Sequence, residues 1–488
     1  MDASWVLFPD LVPSDPCSAF RALPLSKPLL RRVQFCVEAL DRTPAASLPE
    51  IFAPTDYVAC SRMLNNPRMH EAPLFDALAR ETAVQVAAEP LVVVVHDTTS
   101  FSFPGEVLRR GLGRLKSKDQ GFLAHVALAV RPDDTRWVFG LAHLEAYVRT
   151  EAPARALPRE VRETRESHEG LRWGRGVTAA SRALGAVEQI HVMDREGDAY
   201  GPLAQMCRAL QRFVVRQRQA RRVTEPGVVP SPRRACPTST MRVHASAVHT
   251  TLQVPLQPRA TPKEPKRREE HPGRAARMAT VELRATAVHL ARPSGADERL
   301  PVSLPVNVVE VLERDPPAGE EPVHWVLLTS EPIGTASEVE RVVRLYGQRW
   351  IVEEFFKALK TGCSFEARQV ESYEALLVLL ALLIPSATRL LNYRSVAHAA
   401  PQRPAEQIAD ADTLALLRAS PRARLPEHAT AQQLLLAIAA LGGHRPSNGP
   451  PGWLLLYRGL RALEQQRVGY RVAREAKPPD ATPIRVHS

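Results

Sequence analysis

Apolar residues in the amino-terminal part of the chain recur at intervals of three and four. Leu30, Val33, Val37 and Leu40 do so, and later Leu74, Leu78 and Val86, which predicts short amphipathic helices from Leu29 to about Ala88. Asn65-Asn66-Pro67 breaks them with a turn. The pattern then changes to an unbroken, β-branched run, Leu91 to Val95, as expected of a buried strand. It is closed by His96-Asp97-Thr98-Thr99-Ser100. A second short apolar run, Ile190 to Met193, ends at Asp194-Arg195-Glu196-Gly197-Asp198, and Phe213-Val214-Val215-Arg216 follows after a helix-length gap. Strand, helix, strand predicts an α/β architecture.

Beyond Arg216 prolines interrupt any helix, while Met241 to Val248 and Thr280 to Leu290 alternate like strands, so this stretch reads as a β-rich insertion. It is densely basic, with Arg216, Arg218, Arg221, Arg222, Arg233, Arg234, Arg242, Lys263, Lys266, Arg267, Arg268, Arg274 and Arg277. Such charges read equally as a solvated surface or as contacts that track phosphates. Val308 to Leu312 and Val326 to Thr329 predict further strands, followed by one long helix from about Ala336 to Thr361. The longest apolar run, Ala375 to Ile384, stops at Pro385, short of the roughly 20 residues that span a bilayer. It reads as a core helix. Helical patterns, broken around Pro401 and Pro404 and again from Gly442 to Gly452, fill the remainder.

Composition narrows the function. With 488 residues, 44% hydrophobic and 24% charged, the chain has the profile of a soluble protein of several domains. Its net charge of +11 favours a polyanionic partner. The 6 cysteines form no C-x-x-C pair, which argues against structural zinc or a redox motif and fits a reducing cytosol. The first residues, with Asp2, Asp10 and Asp15 around a short apolar patch at Trp5 to Phe8, lack the pattern of a secretory signal.

The candidate chemistry is acidic. Asp97 and Asp194 close neighbouring strands, where open α/β sheets place their ligands, although an aspartate there also serves as an ordinary turn or cap residue. The helix around Glu353 adds weight. At about 100° per residue, Tyr346, Arg349, Trp350, Glu353, Lys357 and Lys360 share one face, while Ile351, Val352, Phe355, Phe356 and Leu359 form the opposite, packing face. Arg349 and Glu353 could be a simple surface pair. That leaves the aromatics and lysines on the same stripe unexplained, whereas cations and aromatics that grip nucleic acid beside a metal-binding carboxylate account for all of them. Phosphodiester cleavage uses carboxylates that hold divalent ions to activate water and stabilise the leaving oxygen.

These segments resemble the DDE transposases of the insertion-sequence four family, similar to the transposon-five type. The resemblance rests on His96-Asp97-Thr98-Thr99-Ser100, on Met193 to Asp198, and on Tyr346, Arg349, Glu353 and Lys360 at successive spacings of three, four and seven. It implies an RNase-H-like core, a mixed sheet flanked by helices, with a β-rich insertion and helical ends. The corresponding division is a DNA-end-binding region over 1–75, the first part of the core over 76–222, the insertion over 223–330, the second part of the core over 331–375, and a helical region over 376–488 suited to dimerisation. Asp97, Asp194 and Glu353 then correspond to the catalytic, metal-binding triad for two Mg²⁺ ions, with Mn²⁺ able to substitute. Tyr346, Arg349, Lys357, Lys360, Arg216 and Trp325 correspond to DNA-binding residues, with Trp325 the stacking platform for a flipped base.

The implied function is cut-and-paste transposition of a bacterial insertion sequence. A homodimer in the synaptic complex would bind terminal inverted repeats, nick, form and open a hairpin, and join the 3′-hydroxyl to target DNA. The expected location is the cytoplasm, at the nucleoid, with no membrane association. The amino-terminal segment Leu23 to Arg32 keeps only Arg31 and Arg32 of the family's end-recognition pattern. Two alternatives stay open: an RNase-H-like metal nuclease or resolvase, and an inactive DNA-binding remnant. A small-molecule hydrolase built on Ser100 and His96 is disfavoured, since there is no Gly-x-Ser-x-Gly elbow and neighbours in a strand face opposite ways.

Overall fold

The computed structural model describes residues 15–475 apart from 45, 106–107, 117–118, 134, 150–168, 227–235, 238–247 and 257–272. Trp5 to Phe8, Met241 to Ala247 and the basic positions Arg233, Arg234, Arg242, Lys263, Lys266, Arg267 and Arg268 lie outside the described residues.

Among the described residues a 3₁₀ turn, Ser18–Phe20, is followed by the helices α1 (Lys27–Arg42), α2 (Leu48–Ile51), α3 (Pro54–Leu64) and α4 (Glu71–Val86). The spacing that predicts them also orients them, for Val33, Val37, Leu40, Leu74, Leu78 and Val86 are all buried. The strands β1 (Leu91–Phe103), β2 (Gly113–Lys116), β3 (Asp119–Val130), β4 (Val138–Tyr147), β5 (Glu188–Met193) and β6 (Arg212–Arg216) follow. The helix α5 (Glu169–Leu184) precedes β5, and α6 (Tyr200–Arg208) joins β5 to β6. Strand β1 runs well past the expected Val95, because β3 pairs with it antiparallel from Val93↔Val130 to Phe103↔Gln120. His96 to Ser100 are therefore strand residues rather than a closing loop.

On its other side β1 lies parallel to β5, and β5 parallel to β6, so the order is β4-β3-β1-β5-β6. The sheet does not stop there. Strands β7 (Arg222–Thr224), β8 (Cys236–Pro237), β9 (Val248–Leu256), β10 (Arg277–Ala291), β11 (Ser303–Glu313) and β12 (His324–Thr329) continue it through an antiparallel β12–β6 pair into one 12-stranded sheet. The β-rich stretch is an extension of the core sheet, which is mixed and flanked by helices.

Beyond β12 come α7 (Ala336–Gly347), α8 (Trp350–Lys357) and α9 (Tyr373–Ala399), then α10 (Ala411–Ala419), α11 (Ala431–Leu441) and α12 (Trp453–Glu475). The single long helix expected from Ala336 to Thr361 is thus interrupted at Gln348-Arg349, and it changes to a π-helical turn at Ala358–Gly362. In that turn Cys363 N–H donates to the Ala358 carbonyl at 2.7 Å. Helix α9 does not stop at Pro385 but carries it inside. The cost of the missing N–H is offset by burial, since Ala375 to Ile384, Ala387 and Leu391 are all in the core. By length and composition α9 is apolar enough to cross a membrane, and 78% of its most apolar window is buried inside the protein. The positions expected as divisions, 75, 222 and 375, lie inside α4, β7 and α9.

Alternation assigns the two faces of the sheet. Val93 and Val95 of β1, with Ile190 and Val192 of β5, share a core with Val339, Ile351, Val352, Phe355 and the apolar run of α9. Val92 and Val94 face the other way, into a core with Ala180 and Leu184 of α5 and Leu434 and Ile438 of α11.

Candidate active site

The register of β1 and β5 positions two aspartates. Their parallel pairing ends at Val95↔Val192, so two residues further on Asp97 and Asp194 stand abreast. Both have the parity of Val93, Val95, Ile190 and Val192, the face that packs against α7, α8 and α9. Each is oriented by one main-chain bond. Thr98 N–H donates to Asp97 Oδ1 at 2.7 Å, and Glu196 N–H donates to Asp194 Oδ1 at 2.8 Å as Asp194 caps the 3₁₀ turn Arg195–Gly197. The cap function and the site position therefore coexist in Asp194.

Glu353 arrives from the opposite layer. Ile351, Val352, Phe355 and Phe356 bury one side of α8, which packs over β1, and Glu353 on the other side comes into the electrostatic surroundings of Asp97. The break before α8 is held by Gln348, whose Nε2 donates to the Asp133 carbonyl at 2.8 Å. It leaves Arg349 reaching into the cleft. Arg349 Nη2 donates to Glu353 Oε1 at 2.6 Å, and Nη1 lies 3.4 Å from Asp97 Oδ2. The guanidinium also lies 4.8 Å from the centre of the Trp350 ring.

Crowding of like charge shows in the protonation of Asp97. Burial, the neighbouring Asp194 and more weakly Glu353 raise its pKa from 3.8 to about 7, although Arg349 and the Thr98 N–H pull the other way. Burial works against the Arg349 cation, yet Tyr346, Glu353 and Asp97 hold its pKa above the ordinary arginine value. Hard oxygen donors of this kind suit a divalent ion. Among the described residues, however, no three carboxylate, imidazole or thiol groups are close enough together to hold one. The cation that stands between Asp97 and Glu353 is Arg349.

Residues 192–386 match the family model of the transposase DDE domain. That segment is similar to a transposase DDE domain. As an enzyme the chain is a DDE transposase, and the matched segment contains Asp194 and Glu353 while Asp97 lies upstream of it. Among solved structures the chain is similar to a piggyBac transposase synaptic complex with hairpin DNA determined by cryo-electron microscopy, at 10% identity and a TM-score of 0.34, covering 96% of this chain and 74% of that one. No residue is carried over at that distance.

Beside the carboxylates of the DDE domain the fold assembles a second group. Tyr346 is buried on α7, its ring 5.4 Å from that of Trp325 on β12. Arg216, paired with Leu327 across β6 and β12, lies 5.9 Å from the Trp325 ring centre, donates to the His324 carbonyl at 3.4 Å, and has Tyr346 in its electrostatic surroundings. Burial lowers the Arg216 pKa, and the cations Arg195 and Arg349 lower it further, which puts three arginines in one electrostatic neighbourhood. So Arg216, Trp325, Tyr346 and Arg349 converge, from β6, β12, α7 and the α7–α8 break.

The two lysines separate, since the π turn changes the angular step after Lys357. Lys360 Nζ donates to the Ser100 carbonyl at 2.6 Å and sits 5.4 Å from the Phe101 ring centre, at the far end of β1. Lys357 pairs at 2.7 Å with Glu354, which also accepts from Trp453 Nε1 at 2.6 Å on α12. Its contacts look away from the triad. Two of the basic positions beyond Arg216 are spent internally: Arg221 pairs with buried Asp198, and Arg277 with Glu313 and Glu320.

A histidine layer behind the triad went unread in the sequence. His96 Nε2 and His191 Nδ1 are 2.9 Å apart, and Thr98 Oγ1 and His125 Nδ1 are 3.0 Å apart, on the face of β1 opposite Asp97. Burial lowers the pKa of His125 and His191 to about 3 and that of His96 well below its usual value, so all three are neutral. The signal is parity: His96, His125 and His191 occupy inward strand positions among apolar neighbours.

Proposed function

We propose that this DDE transposase belongs to the insertion-sequence four type and moves a bacterial insertion sequence by cut-and-paste transposition, cleaving and rejoining double-stranded DNA at terminal inverted repeats. What supports the reading is the placement of Asp194 and Glu353 in the electrostatic surroundings of Asp97, from two parallel strands and a helix, with Arg349 bridging Asp97 and Glu353. The order β4-β3-β1-β5-β6, with β3 alone of the inner strands antiparallel to β1, supports an RNase-H-like core. Asp97, Asp194 and Glu353 would hold Mg²⁺, two ions per site, with Mn²⁺ as a substitute. Ions held there would supply Lewis-acid stabilisation of the phosphoryl and leaving oxygens and would lower the pKa of the attacking water or hydroxyl.

The chain's own residues supply placement. Arg216, Arg349 and Lys360 offer cations to the DNA backbone, Tyr346 braces Arg216, and Trp325 offers a half-buried face for an unstacked base. Lys357, paired with Glu354, would meet DNA only on the side away from the triad. No step needs a covalent protein intermediate, because each is an in-line displacement at phosphorus. Two copies at the nucleoid, each holding one end, complete the proposed assembly.

The test is a labelled duplex from the flank of the gene, incubated with Mg²⁺ and resolved on a denaturing gel. Asp97→Asn, Asp194→Asn and Glu353→Gln should each abolish the nicked and hairpin products while retaining DNA binding. Substantial Mg²⁺-dependent cleavage by any of them would refute its role. Cleavage by the wild type with no joining to target DNA would favour a nuclease or resolvase, and binding without cleavage an inactive remnant.

A further inference from the structure

Arg349 raises a problem of room. Its side chain is 8% exposed, its two terminal nitrogens are committed to Glu353 and Asp97, and its Nε is buried with no hydrogen-bond partner. A divalent ion held by those two carboxylates would compete for the oxygens that now accept from the guanidinium. Two cations of this charge do not share the same carboxylate oxygens in a part-buried cleft, where their repulsion is weakly screened.

We propose that Arg349 is an exchangeable counter-cation, which neutralises Asp97 and Glu353 in the metal-free protein and must leave them when a divalent ion binds. The inference rests on the metal-binding reading given above. Three observations carry it beyond that reading. Arg349 stands between the carboxylates rather than outside them, bridging a strand residue to a helix residue. It lies in the turn between α7 and α8, where its backbone is helical and already hydrogen-bonded, so its side chain can be re-aimed through its own torsions with neither helix disturbed. Its buried Nε is an unmet donor, a cost that the present position leaves standing and an anionic acceptor would remove.

The exchange couples two ligands. Once displaced, the guanidinium keeps its charge and acquires free donors beside the carboxylates, where a phosphodiester would lie. Metal and DNA backbone would therefore favour the same rearrangement of Arg349, and each would help the other bind. A lysine would do this less well, because its ammonium is a compact, strongly hydrated point charge without the fixed fork of donors that spans Asp97 and Glu353.

The experiment is Mn²⁺ binding to the full-length, chelator-treated protein without DNA, with free Mn²⁺ followed by electron paramagnetic resonance. Arg349→Gln should bind Mn²⁺ about tenfold more tightly than wild type, the worth of one charge-assisted hydrogen bond no longer to be broken. Arg349→Lys should fall between them. Equal or weaker binding by Arg349→Gln, with binding in both proteins abolished by Asp97→Asn and Glu353→Gln, would overturn the exchange and leave the metal site standing. Mn²⁺ binding insensitive to Asp97→Asn and Glu353→Gln would overturn the metal site and the exchange together. Melting with and without Mn²⁺ guards against a folding defect: Arg349→Gln should melt below wild type in chelator and recover when Mn²⁺ is added. If both Arg349 variants stay unfolded with Mn²⁺ present, Arg349 is a fixed structural bridge and the proposal fails.

Discussion

Replacing Asp97 by asparagine should abolish cleavage and at the same time stabilise the metal-free protein. Its pKa stands at about 7 against an ordinary 3.8, so the fold disfavours the ionised carboxylate. At about 1.4 kcal/mol per pH unit the ceiling on that penalty is roughly 4 kcal/mol. Asparagine keeps an acceptor for Arg349 and for Thr98 N–H but gives up charge assistance, which takes back about 1 kcal/mol or more. The net gain should be about 1 to 3 kcal/mol at about pH 8. The sign follows from linkage. A carboxyl whose folded pKa is raised makes wild type lose stability as pH climbs from about 4 to about 7 and then level off. The advantage of asparagine is therefore small near the acid end of that window and complete above it. Urea unfolding in chelator at about pH 5 and about pH 8 measures it. A gap that does not widen with pH, or an asparagine variant less stable at the higher pH, would refute the reasoning. Excess Mg²⁺ should stabilise wild type and not the variant, closing the gap.

Other consequences are as direct. Gly176→Ala would set a Cβ 2.6 Å from His125 Nε2 and 3.4 Å from His96 Nδ1, and it should cost about 1 to 3 kcal/mol of stability; an unchanged melting temperature would contradict the packing behind the triad. Asp198→Ala removes the carboxylate that pairs with buried Arg221 and accepts from Arg218 N–H, so a loss of about 3 kcal/mol is expected by thermal or urea melting. Trp325→Ala should leave the first nick intact and lower hairpin yield about tenfold through lost base stacking; equal loss of both products on a denaturing gel would sink the stacking role. Lys357→Ala, which removes only an exposed pair with Glu354, should shift stability by less than about 1 kcal/mol.

How far the sequence could be read depended on whether a pattern is local. The helices around Val33 and Leu78 and the strand from Leu91 were legible because burial on one face imposes a period that neighbouring residues carry themselves. The extension of β1 to Phe103 was not, since it depends on β3 arriving alongside, and His96 to Ser100 look polar enough for a loop. Asp97, Asp194 and Glu353 could be picked out singly, but their convergence follows from strand register and from which face α8 buries. The wheel that placed Lys357 and Lys360 on one face assumed a constant step, and the π turn after Lys357 breaks it. Pro385 misled for a related reason: a proline predicts a helix end from local sterics, whereas the burial that keeps α9 intact comes from α1, α4 and α11.

Helix α9 also governs the order in which the chain can reach its final state. As it leaves the ribosome it is a long, almost wholly apolar segment whose coverings lie on both sides of it in sequence: α1 and α4 are already made, while α11 is still to come. Until α11 is synthesised, part of that surface has nothing to lie against. A nascent or truncated chain that ends soon after Ala399 is thus exposed to aggregation, or to capture by machinery that recognises apolar helices, at the stage when the triad strands are already in place.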